Sequence, residues 1–75
     1  MKALQTTALE VDGMTCGSCA RHVEGALRGV PGVAEVEVRL RERIALVRRD
    51  PAASSTDELL SALAKRGYPA RLELD

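Results

Sequence analysis

The chain has 75 residues, 45% of them apolar, with no Phe or Trp and with Tyr68 as its one aromatic residue. That allows a two-layer core of Val, Leu, Ile and Ala but no large enzyme cavity beside it. Eleven basic residues balance eleven acidic ones, for a formal net charge of zero. This argues against a nucleic-acid partner, because phosphate neutralisation needs a basic excess and base stacking needs aromatics.

Thr7-Ala8-Leu9-Glu10-Val11 alternates, with Leu9 and Val11 on one side and Glu10 on the other, the pattern of a half-buried strand. Asp12-Gly13 ends it, and Met14-Thr15-Cys16-Gly17-Ser18-Cys19 follows, holding both cysteines of the chain. From Cys19 to Arg28 a helix is predicted, because Ala20, Val23, Ala26, Leu27 and Val30 recur at three- and four-residue spacings. Glu24 lies four residues before Arg28, the favourable order for a surface pair, and Gly29 suits the helix stop.

Val30-Pro31-Gly32-Val33 is a turn signal. Ala34, Val36, Val38 and Leu40 then alternate with Glu35, Glu37 and Arg39 as a strand with one face in the core. After the polar break Arg41-Glu42-Arg43, the segment Ile44-Ala45-Leu46-Val47 returns as a hairpin strand that Asp50-Pro51 terminates. Ser55-Thr56-Asp57-Glu58 fits a capping box and opens a second helix, with Leu59, Leu60, Leu63 and Ala64 as its apolar stripe and Gly67 as its stop. Ala70-Arg71-Leu72-Glu73-Leu74 alternates once more and makes the fourth strand. The order βαββαβ predicts an α+β, ferredoxin-like fold, a four-stranded antiparallel sheet with both helices on one face. In that topology the Gly67-Tyr68-Pro69 turn emerges at the same end of the sheet as the cysteine loop, so Tyr68 is expected beside the thiols.

No apolar run approaches the roughly 18–20 residues needed to cross a bilayer, and Met1-Lys2-Ala3-Leu4-Gln5 lacks the apolar stretch of a secretion signal. The chain therefore reads as cytoplasmic, without membrane insertion. In a reducing compartment a Cys-x-x-Cys pair points to metal binding or redox chemistry rather than a structural staple. Two thiolates suit soft ions such as Cu(I) and Hg(II), which accept low coordination numbers. Structural zinc takes four ligands, and only His22, Asp12 or Glu24 could add to the pair, so zinc is the weaker reading. A helix N-terminus favours the thiolate form, most of all at Cys19. The competing reading, a thioredoxin-like dithiol, fits the spacing but not the βαββαβ order, nor Thr15 in place of an aromatic before the pair.

Gly13-Met14-Thr15-Cys16-x-x-Cys19, with Val30-Pro31-Gly32-Val33 and Gly67-Tyr68, resembles the heavy-metal-associated domain of copper chaperones, copper-transporting P-type ATPases and mercury-resistance proteins. Ser18-Cys19-Ala20 with His22-Val23 is similar to the N-terminal domain of mercuric reductases. The resemblance spans nearly the whole chain and implies one such domain over residues 1–75. It also implies that Cys16 and Cys19 hold one Cu(I) or Hg(II) as cargo, not as a catalytic cofactor, and pass it on by thiol exchange to a metal-transporting ATPase or a mercuric reductase dithiol. Cu(I) ranks slightly ahead because copper handling is the commoner use of the fold. The chain is expected to be a monomer without metal, with a metal-bridged dimer as an alternative state, and to have no enzymatic activity of its own. Met14 is expected as a hydrophobic plug under the loop rather than a thioether ligand, with Thr15 as loop support. Tyr68 is expected to shield the thiols, to cap the core, or both. His22 is expected to face solvent, outside the metal site.

Overall fold

The computed structural model describes residues 4–74. Met1, Lys2 and Ala3, part of the start read above as lacking a signal, lie outside the described residues. The elements are β1 (Gln5–Val11), α1 (Gly17–Arg28), β2 (Val33–Arg39), β3 (Ile44–Arg49), α2 (Thr56–Lys65) and β4 (Ala70–Leu74). The strands form one antiparallel sheet in the order β2-β3-β1-β4, and both helices cover the same face, as the element order predicts.

Register explains which face is covered. Leu9 lies opposite Ala45 and Thr7 opposite Val47, while Val36 and Val38 lie opposite Val47 and Ala45 from the other side. These side chains form a floor on which Val23 and Leu27 of α1 and Leu59 and Leu63 of α2 are fully buried. On the opposite face charges pair across strands, Arg48 with Glu35 at 3.4 Å and Arg71 with Glu10, and along β2, Arg39 with Glu37 at 2.8 Å. Such exposed pairs are screened by water and contribute little, so the sheet is held by its helix-covered side. The Glu24–Arg28 pair forms on α1 at 2.8 Å, and the Ser55 hydroxyl accepts from the Glu58 amide at 3.3 Å to cap α2. Among the described residues no helix is long and apolar enough to cross a membrane.

Three local expectations change. Ala34 is exposed rather than in the core, because the pairing of β2 with β3 shifts between Val33 and Glu35 and carries Ala34 out of the alternation. Ala64 is exposed and Ala62 packs against the core instead, since the stripe of α2 centres on Leu59 and Leu63. The third strand runs two residues beyond Val47, to Arg49, whose guanidinium is buried.

At Gly32 both the backbone and the space around it favour glycine. Its φ is +87° and a Cβ there would lie 2.6 Å from the Ala53 Cβ, while its carbonyl accepts from the Asp50 amide at 2.9 Å. Gly32→Ala is expected to cost about 2 kcal/mol, from left-handed strain together with overpacking. Gly13, at φ +80° but facing open space, carries only the strain, so Gly13→Ala costs less. Urea midpoints of the two variants check the order; equal midpoints would contradict it.

Candidate metal centre

The sulfurs sit where β1 hands the chain to α1. At the end of β1 the Asp12 amide donates to the Pro69 carbonyl at 2.8 Å, tying the cysteine loop to the turn that carries Tyr68. Met14 is 2% exposed and belongs to the core cluster with Leu9, Val23 and Leu63, so its side chain anchors the loop from below. Thr15 is exposed.

Cys16 is the N-cap of α1, with extended dihedrals (φ −149°, ψ 169°), and its carbonyl accepts from the Ala20 amide at 3.1 Å to close the first turn. The helix thus begins two residues before the predicted Cys19 start. Cys16 stands at its mouth and Cys19 lies within the first turn, half-buried against the core. Both cysteines are free, and their Sγ atoms are 3.0 Å apart.

The surroundings favour a thiolate at Cys19. Its pKa is lowered to about 7, chiefly by the hydrogen bond from Cys16, then by the backbone of Thr15 and the hydroxyl of Tyr68, with burial opposing. The Tyr68 hydroxyl is correspondingly held above its ordinary value by its hydrogen bond to Cys19, by burial and by the charge on the two sulfurs. Tyr68 is half-buried and packs against the core. His22 is exposed, as expected, yet its Nδ1 lies 3.2 Å from the Tyr68 hydroxyl. Sequence spacing placed His22 one turn after Cys19 but gave no sign of a partner 46 residues away.

A lowered pKa means the charged form is favoured. Cys19 is therefore mostly thiol below pH 7 and mostly thiolate above it. Its alkylation by iodoacetamide is expected to rise with a midpoint near pH 7. Cys16→Ala should move that midpoint upward, because it deletes the largest cause of the shift. A midpoint unmoved by the substitution would show that Cys16 does not set the acidity.

Among the described residues no group of three or more His, Cys, Asp or Glu side chains could close around an ion. The pair therefore offers two soft ligands on an exposed loop, suited to a linear, two-coordinate ion. With metal–sulfur bonds of about 2.3 Å such a unit needs sulfurs about 4.6 Å apart, so the pair must open from 3.0 Å. Cys16, exposed and at the edge of the helix, is the side chain with room to move.

A family model for the heavy-metal-associated domain matches residues 8–69. The mercuric transport protein periplasmic component of Pseudomonas aeruginosa is 41% identical over 71 residues, covering 95% of this chain and 78% of the relative. The crystal structure of oxidized MerP from Ralstonia metallidurans CH34 superposes with a TM-score of 0.91 at 41% identity, covering 95% of this chain and 99% of that one. A copper-binding domain from the P-type ATPase HMA7 superposes with a TM-score of 0.88 at 30% identity, covering 97% and 95%. The mercuric relatives, named as periplasmic components in several organisms, overturn the cytoplasmic expectation. That expectation rested on the absence of a signal-like start, which carries no information about the compartment of the folded domain.

Proposed function

Because the chain belongs to the heavy-metal-associated domain family, whose members bind and carry metal ions, we propose that it is a carrier of Hg(II), holding one ion between Cys16 and Cys19 and surrendering it to the thiols of a metal transporter. The observation that carries this reading is the free thiol pair, 3.0 Å apart on an exposed loop, in a chain 41% identical to mercuric transport proteins over nearly its whole length. An ion with only two ligands stays open to attack. A thiolate of the acceptor adds to it, one cysteine sulfur leaves, and a second exchange completes the transfer without releasing free metal. No bond to carbon is made or broken, so the step is transfer rather than catalysis. Under this reading the chain works in the periplasm, where its thiols must be reduced to accept an ion.

Cu(I) is the second reading, favoured by the likeness to the copper-binding ATPase domain. The preference for Hg(II) reverses the slight priority that the fold's commoner use gives to copper, because the relatives at higher identity are mercuric. A competition titration of the reduced protein with each ion against small dithiols separates the two. Retention of Hg(II) at one ion per chain supports the first reading, and selective retention of Cu(I) the second. Failure to hold either ion one-to-one removes both.

A further inference from the structure

The formal neutrality of the chain hides a separation of charge between the two ends of the fold. Register fixes which end each residue occupies. Glu10 and Arg39 both lie opposite Ile44, and Val11 lies opposite Ala70, so the β2–β3 turn and the turn before β4 share the end where β1 runs into the cysteine loop. Gln5 and Val33 lie opposite Arg49 at the other end, where α1 stops and α2 starts.

At the cysteine end, Arg71 pairs with Glu10 and Arg39 with Glu42. Arg21 of α1, Arg41 and Arg43 of the β2–β3 turn, and Lys65 and Arg66 at the end of α2 are exposed and make no ion pair among the described residues. Asp12 is the carboxylate left unpaired beside them. At the far end it is acids, Asp57 and Glu58, that are exposed without an ion pair among the described residues. Three separate elements therefore bring unneutralised positive charge to the end that carries the sulfurs. Charge gathered in this way acts over about 10 Å at 0.1 M salt and raises the local concentration of anions.

We propose that the chain takes its ion from anionic complexes, in which a soft ion is already held by two small thiolates that carry carboxylates. The ion bound by two thiolates has the charge of whatever those thiolates bear, so the carboxylates make the complex an anion drawn to this end. Each protein thiolate then forms a bond to the ion as one small thiolate leaves with its bonding pair. Two metal–sulfur bonds replace two, the oxidation state of the ion is unchanged, and any thiol proton goes to a leaving thiolate. This deepens the carrier reading by naming the form in which the cargo arrives, and it rests on that reading.

The test has one arm without metal and one with it. In the first, the reduced protein reacts at about 0.1 M salt with an anionic and a cationic methanethiosulfonate; both attack the same sulfurs, so their rate ratio reads the local potential. Arg41→Glu/Arg66→Glu should lower the anion-to-cation ratio about fourfold. Arg28→Glu/Arg48→Glu makes the same charge change at the far end and should leave the ratio within about 1.5-fold. All four side chains are exposed, so the fold is expected to survive. In the second arm, Hg(II) is presented as its thioglycolate or its cysteamine bis-complex. Transfer from thioglycolate should slow about threefold in Arg41→Glu/Arg66→Glu, and transfer from cysteamine should quicken. An unchanged reagent ratio in that variant overturns the proposal, and so does an equal fall in the far-end variant, which would reflect net charge alone. Ion uptake that is one-to-one but equally fast in wild type and variant from both donors overturns it while the carrier reading stands. A chain that shows the expected reagent ratio yet takes the ion from neither donor overturns both.

Discussion

Replacing Cys16 and Cys19 together by serine is expected to abolish stoichiometric binding of soft ions while the fold persists. Serine oxygens are hard, poorly ionised ligands, and no third acidic, cysteine or histidine side chain among the described residues stands ready to replace a lost sulfur. The fall in affinity should be at least about 10³-fold, or about 4 kcal/mol. The fold should tolerate the change because Cys16 is exposed and Cys19 only half-buried. The loop is anchored instead by Met14 in the core and by the Asp12 amide on the Pro69 carbonyl. Titration gives the affinity and circular dichroism the fold. Retained one-to-one binding would mean that the ion sits elsewhere, and an unfolded variant would mean that the thiols are structural.

The second large effect is at the far end of the sheet. Arg49 is 4% exposed and its guanidinium donates to the Thr7 hydroxyl at 3.0 Å, the Ser54 carbonyl at 2.6 Å and the Thr56 hydroxyl at 3.3 Å. One side chain thus ties β1 and β3 to the segment that leads into α2. Arg49→Ala removes three donors from buried or half-buried oxygens and opens a void, at an expected cost of about 3–4 kcal/mol. For a chain of this size that lowers Tm by about 12–30 °C. The register pairs Gln5 with Arg49 and Glu10 with Ile44, so about 17 Å of sheet separates Arg49 from the cysteine end. The variant protein that remains folded should therefore bind the ion with unchanged affinity. A thermal melt and a titration below the new Tm check both halves. A loss under 1 kcal/mol, or a parallel loss of affinity, would contradict this reading.

Why the first of these sites can be read from sequence and the second cannot is a matter of range. Cys16 and Cys19 are three residues apart at the mouth of a helix, so local geometry alone brings their sulfurs together. Tyr68 could be placed beside them because the βαββαβ order puts the turn before the fourth strand at the same end as the cysteine loop. Arg49, by contrast, looks like the polar end of a short strand. Its burial comes from residues 50–56 folding across it, which no periodicity records. His22 is similar: its exposure on α1 follows from the helical stripe, but its partner is fixed only when the second half of the fold closes. Ala34 shows the same limit in a strand, where one bulge carries an apolar residue out of a clean alternation.

Under the carrier reading a single chain holds one soft ion between its own two sulfurs. To check this, one equivalent of Hg(II) is added to the reduced protein, which is then challenged with iodoacetamide and weighed intact. The expected result is one ion per chain with Cys16 and Cys19 both protected, and alkylation of both once a competing dithiol removes the ion. Chains that keep the ion with either cysteine alkylated, or that hold it only as a dimer with one ion for two chains, would contradict it.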